Sequence, residues 1–195
     1  MLSQDQIDLH PGLNKWWTAA SAVWEANRAS ERLSLTEQID YQTKLSKQLP
    51  VAAFRIVYNK SGMHICAAKL RNSNALVTHG LYWATMSSER EADYLCAILN
   101  APVTTELARP LMSYGKDERD IHKHVWELPI PEFDPNDSTH GRIADLGATL
   151  EKTVASFPVK ESVHFAATRR HIREFVMKTA EGNELNDLVT DMLED

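Results

Sequence analysis

Phe54-Arg55-Ile56-Val57-Tyr58, then Asn59-Lys60-Ser61-Gly62, then His64-Ile65-Cys66-Ala67-Ala68-Lys69-Leu70, break the character of the chain on either side of them. The first five residues are β-branched or aromatic around one arginine, which suits a pleated, half-buried surface. The next four are turn formers, and the run from His64 reads as a second strand. Asn72-Ser73-Asn74 is another turn, and residues 75–85 read as one or two more strands, so the segment is expected to form a small antiparallel meander.

Outward from this sheet the period changes to that of a helix. Upstream, Leu13, Trp16, Trp17, Ala20 and Trp24 form one stripe over residues 12–30, and their aromatic rings read as core. Ser34 with Glu37 is a capping box opening a second helix, with Leu35, Ile39, Leu45 and Leu49 on its apolar side and Pro50 ending it. Downstream, Ser88 with Glu91 opens a helix over 89–100, striped by Ala92, Leu95, Cys96 and Leu99. Residues 102–112 read as helix and 113–123 as a polar loop, while Pro129 and Pro131 force 126–133 to be extended. Ile143, Leu146, Leu150, Val154 and Phe157 mark a long helix interrupted by Pro158. Another helix follows over 160–180, crowded with Arg169, Arg170 and Arg173. Gly182-Asn183 reads as a stop before a short last helix of Leu185, Leu188, Val189, Met192 and Leu193. The expected fold is α+β, with a small antiparallel sheet over about 54–85, a central helix, and flanking N- and C-terminal helices. Three segments are expected: helical 1–50, a mixed α/β core 51–134, and helical 135–195.

The 195 residues are 43 % apolar and 25 % charged, ordinary for a globular chain. Residues 1–11 carry Asp5 and Asp8 and no apolar run, so no signal peptide is expected, and no stretch is apolar enough for a membrane span. Cys66 and Cys96 read as small buried hydrophobes in a reducing compartment, which points to the cytoplasm. Net charge is −6, but residues 181–195 hold six acids and no base, and without them 21 acids face 21 bases. Residues 41–88 contain no acid and six bases: Lys44, Lys47, Arg55, Lys60, Lys69 and Arg71. Such a segment is a candidate phosphate-facing surface, or else a set of scattered solvated side chains.

Motifs of chemistry are missing. The seven glycines stand at least six residues apart, so no glycine-rich phosphate cradle can be assembled from them. No acid precedes a lysine by two positions, and no helical zinc-protease pattern exists. His122 and His124 flank Lys123, whose charge would repel a metal ion. No catalytic centre, cofactor or metal is therefore expected. The loop Tyr114-Gly115-Lys116-Asp117-Glu118-Arg119-Asp120-Ile121-His122-Lys123 is richer. Arg119 can fork onto a guanine edge or a phosphate, Lys116 and Lys123 can neutralise phosphates, and Tyr114 can wedge against a base. Three acids among these bases make an internal salt-bridge loop the competing reading.

Several segments, in order, resemble the C-terminal target-recognition (Taq-type specificity) domain of bacterial DNA adenine methyltransferases and fused restriction–methyltransferase enzymes. They are residues 54–58, Leu81-Tyr82-Trp83, Glu91-Ala92-Asp93-Tyr94-Leu95-Cys96-Ala97-Ile98-Leu99-Asn100, Arg119-Asp120-Ile121-His122-Lys123, and Leu128-Pro129-Ile130-Pro131-Glu132-Phe133-Asp134. His140 with its helix and the last apolar helix also fit, so the resemblance runs from about Leu35 to the C-terminus. Its most specific part is the 94–100 helix followed by 128–134. In that family an upstream catalytic domain binds S-adenosylmethionine and carries an Asn-Pro-Pro-Tyr-type motif; neither is present here. The resemblance implies a DNA sequence-recognition module of a restriction–modification system, cytoplasmic and without its own catalytic site, working on double-stranded DNA beside a methyltransferase catalytic domain or subunit. Its expected DNA contacts are Arg55, Lys60, Lys69, Arg71, Tyr114, Lys116, Arg119, His122 and Lys123. A free-standing DNA binder is ordinarily more basic than this chain's pI of 5.7, so contact is expected within an assembly. The alternative is a protein–protein docking or homo-oligomerisation module, or a vestigial fragment that no longer reads DNA, using the stripes 143–157 or 185–193.

Overall fold

The computed structural model describes residues 2–71, 74–112, 120–121, 124–159 and 162–194, and divides into two compact units, Met1–Val51 and Ala52–Asp195. None of its helices is long and apolar enough to cross a membrane among the described residues.

The first unit is helical. α1 (Gln4–Asp8) opens on a capping box made by Ser3 and Gln6, and α2 (Pro11–Asn27) starts with proline at its first turn, where no N–H is needed. α2 buries none of its side chains, and Trp16 is 59 % exposed, so the aromatic stripe read as core is not one at that position. Trp24 is half-buried and its indole donates to the Leu33 carbonyl at 3.4 Å. α3 (Leu35–Ile39) has the expected capping box between Ser34 and Glu37. It does not run on to Pro50. The Asp40 carboxylate accepts from the backbone N–H groups of Leu45 and Ser46 at 2.9 and 3.0 Å, pulling the chain into 3₁₀ turns, and Gln42 and Thr43 take positive φ. A short acidic side chain competing for backbone N–H groups defeats an apolar stripe that local pattern alone would extend.

The second unit is α+β, with its sheet inside the expected limits. β1 (Phe54–Asn59), β2 (Ala67–Arg71) and β3 (Leu81–Thr85) are antiparallel in the order β2-β1-β3. The expected meander is therefore corrected: β1 is central, and the connection after β2 carries the chain across to its other side. β2 also starts later than expected. The Asn59 side chain accepts from Cys66 N–H at 2.7 Å and donates to the carbonyls of Ser61 and His64, holding residues 61–66 as a loop. Cys66, expected to be buried, is exposed there.

α4 (Glu89–Asn100) has the bounds its periodicity gave. Ser88 caps it by accepting from Glu91 N–H at 3.1 Å, while the Glu91 carboxylate reaches back to Ser87. The helix lies between two cores. One is the sheet face of Ile56 and Tyr58 with Ala92, Leu99, Met112, Ile121 and Val125. The other joins Tyr94, Ala97 and Ile98 to α5 (Pro102–Ala108), α6 (Ser138–Ala155) and α8 (Ala180–Glu194). α7 (Phe165–Val176) is shorter than expected and buries no whole residue, although Phe175 stacks against Phe157 at 5.2 Å. Gly182 does not stop a helix; it lies in the first turn of α8, where Thr179 Oγ1 accepts its N–H at 3.0 Å and a Cβ would collide with the Val176 carbonyl.

Gly147 sets the α4–α6 distance, because a Cβ there would stand 2.7 Å from the Asp93 carbonyl oxygen and 2.9 Å from Ala97 Cβ. Gly147→Ala is expected to destabilise by about 1–3 kcal/mol through this overpacking, against the helix-propensity gain that alanine normally brings. A urea titration checks it, and a stabilised variant would show the two helices free to separate.

Candidate functional site

The expected DNA-facing bases begin on β1. Arg55 is 1 % exposed, and its guanidinium donates to the Ala75 carbonyl at 2.8 Å under the β2–β3 connection. It is an interior residue, because the strand that carries it lies in the middle of the sheet and the crossing connection covers that face.

Lys69 and Arg71 stand two apart on β2 and so share a face, as pleating requires. That face meets α4 and α6. The Lys69 ammonium, 3 % exposed, pairs with Asp93 and with Glu151 Oε2 at 2.8 Å. Arg71 pairs with Glu89 at 2.7 Å and with Glu151 at 2.5 Å. Burial pushes the Glu151 carboxyl up, but hydrogen bonds and positive charge from Lys69 and Arg71 outweigh it, and the group sits below its ordinary value of 4.5. Two bases of the acid-free stretch, Lys69 and Arg71, thus find counter-charges on helices distant in sequence. Lys69 is buried in this network, and Arg71, though 41 % exposed, is engaged by two carboxylates, so both have counter-charges within the chain.

Lys60 differs. It occupies the end of the sheet, its side chain half-buried and without an ion pair among the described residues. Its carbonyl accepts from Ile121 N–H at 3.0 Å, and Ser61 forms an antiparallel bridge with Asp120. Tyr114, Lys116, Arg119, His122 and Lys123 lie outside the described residues. Met112 and Ile121, which are among the described residues, are buried in the core beneath β1. The structure therefore joins the turn of Lys60 to the chain at 120–121, and separates both from Arg55, Lys69 and Arg71 by role.

Sequence reasoning missed Glu89, Asp93 and Glu151. Glu89 and Asp93 stand four apart on α4, which put two carboxylates on one helical face and was a readable signal. Nothing local linked Glu151 to them. In the stripes considered for docking, Ile143, Leu146, Leu150, Leu185, Val189 and Leu193 are buried, while Val154, Phe157, Leu188 and Met192 are half-buried. No family model, curated protein or solved structure matches the chain.

Proposed function

We propose that the chain is a DNA sequence-recognition module of a restriction–modification type adenine methyltransferase system, without a catalytic centre of its own, acting in the cytoplasm beside a catalytic domain or subunit. The observation that carries this reading is the seam between Lys60 and Ile121, which ties a lysine without an ion pair among the described residues to the chain next to Arg119 and Lys123 in sequence. Arg119 is bonded directly to Asp120, so it stands within one residue of that seam. Backbone positioning by lysine and base-edge reading by arginine are the roles these residue types suit. With Arg55, Lys69 and Arg71 used internally, the footprint is small, and this supports contact made within an assembly rather than strong binding by the chain alone.

Binding to random duplex DNA, titrated with salt, tests the reading. Lys60→Ala and Lys123→Ala are each expected to lower the slope of log K against log salt by about one. Arg71→Ala is expected to leave the slope unchanged. Absence of salt-sensitive binding by the folded protein, or an equal loss in Arg71→Ala, overturns it.

A further inference from the structure

A cleft of 650 Å³ lies among β2, α4, α5, α6 and α7. Its volume falls in the range of roughly 300–1,000 Å³ typical of small-molecule sites. Its walls are largely apolar, from Ala68, Ala97, Leu150, Val154, Ile172 and Leu185. Two groups of charges line it. Lys69 pairs with Asp93 and Glu151, and Arg71 adds the second positive charge to that network. Arg109, Arg169 and Arg173 gather around His64 and form no ion pair among the described residues.

Several observations place these four groups within electrostatic reach of one another. Burial, then the charges of Arg173, Arg109 and Arg169, push the His64 imidazole below its ordinary value. Burial, then Arg169, push the Arg173 guanidinium down in the same way. Arg109 Nε is buried and has no hydrogen-bond partner among the described residues. Arg169 is occupied only in part, lying 5.5 Å over the Phe165 ring. Glu106 and Glu174 also line the cleft but are exposed, and Glu174 has Arg170 as its contact at 3.8 Å.

Like charges assembled against an apolar wall cost folding free energy, and an unpartnered buried N–H adds to that cost. A bound anion would offset both. We propose that this cleft binds a small amphipathic anion, an apolar body bearing one carboxylate or phosphate head, with Arg109 and Arg173 holding the head. Guanidinium groups suit both heads because each can donate two parallel N–H bonds to a pair of oxygens. This inference is independent of the DNA reading.

Cys66 reports on the site, since it is exposed and lines the cleft. Cys96 lines it too, but burial pushes its thiol up to about 11, so at neutral pH it stays protonated and reacts slowly. The experiment measures the rate of Cys66 alkylation by iodoacetamide, by mass spectrometry, while sodium decanoate is titrated. Decanoate and decyl phosphate are expected to protect Cys66 saturably, and decanol, with the same tail and no charge, is not. Arg109→Gln with Arg173→Gln is expected to weaken protection at least about tenfold, while Arg170→Gln, outside the cleft, leaves it unchanged. Circular dichroism checks that the variants fold, and Arg173→Gln alone carries the comparison where the double variant does not. Equal protection by decanol, no saturable protection by either anion, or full affinity in a folded arginine variant overturns the proposal.

Discussion

Lys69→Met is expected to lower folding stability by about 3–5 kcal/mol, although Met matches most of the lysine stem in volume. The Lys69 side chain is 3 % exposed and that of Asp93 9 %, so removing the lysine leaves a carboxylate in the interior whose remaining ion-pair partner among the described residues is Arg71, 3.8 Å away. The loss comes mainly from the stranded charge rather than from the pair's own attraction, because two ions taken out of water start from a large desolvation cost. Adding Asp93→Leu to Lys69→Met is therefore expected to recover most of the stability. Chemical denaturation of the wild type, the single and the double variant separates the cases. A single variant within about 1 kcal/mol of wild type would show the charge to be unimportant. A double variant no better than the single would place the loss in packing.

The same network sets a pH response. Glu151 is held below its ordinary 4.5 by Lys69 and Arg71, so the folded state binds its proton less readily than the unfolded chain does. Its contribution is present above the unfolded value and is lost as pH falls through the lower folded value. Between about pH 5 and pH 3 the wild type is expected to lose stability more steeply than Lys69→Met, in which the carboxyl lies closer to its unfolded value.

What was legible in the sequence follows from how local its physics is. α4 could be delimited because Ser88, the apolar period and the break at Pro102 all act within a few residues. β1 could be placed because its composition has no helical use. The order of the strands could not, since it depends on where the connection after β2 crosses, and no residue within β2 or β3 records that. Arg71 and Glu151 meet across 80 residues of chain, so the sign of the charge could be read but not its partner. Arg55 belongs by sequence to the acid-free stretch, but it lies on the central strand with its guanidinium on the Ala75 carbonyl. Lys60 stands at the end of β1 and is half-buried, a placement that its turn-forming neighbours in sequence do not specify. Arg169 and Arg173 were visible as a crowded pair one helical turn apart; the groups facing them, Arg109 and His64, come from other elements.

Tyr94→Ala is expected to lose about 3–5 kcal/mol, the usual range for emptying a buried aromatic site. The ring is 1 % exposed and lies 5.3 Å from Phe133 and 4.8 Å from His140. Its hydroxyl donates to the Pro131 carbonyl at 3.1 Å and meets Met192 Sδ at 3.5 Å. Burial pushes the phenol up to about 12, which keeps it a donor throughout the physiological range. His140 Nδ1 accepts from Asp134 N–H at 3.0 Å, so one aromatic group ties α4, the 128–134 segment, α6 and α8 together. Tyr94→Phe keeps the ring and strands one carbonyl, and about 1–1.5 kcal/mol is expected from that alone. Both values come from urea titrations, and a Tyr94→Ala loss below about 1 kcal/mol would show that the second core does not unfold as a unit with the sheet. The comparison also bears on the resemblance. Its most specific residues include Tyr94, Asn100, Pro131 and Phe133; Asn100 fastens Ala67 of β2 by accepting at 3.1 Å and donating at 2.9 Å. Residues that clamp helices to a sheet bear on architecture, whereas the proposed nucleic-acid contact is assigned to Lys60. Tyr94→Phe is accordingly expected to be less stable than wild type yet to keep the same salt slope on duplex DNA, the reverse of what Lys60→Ala should do.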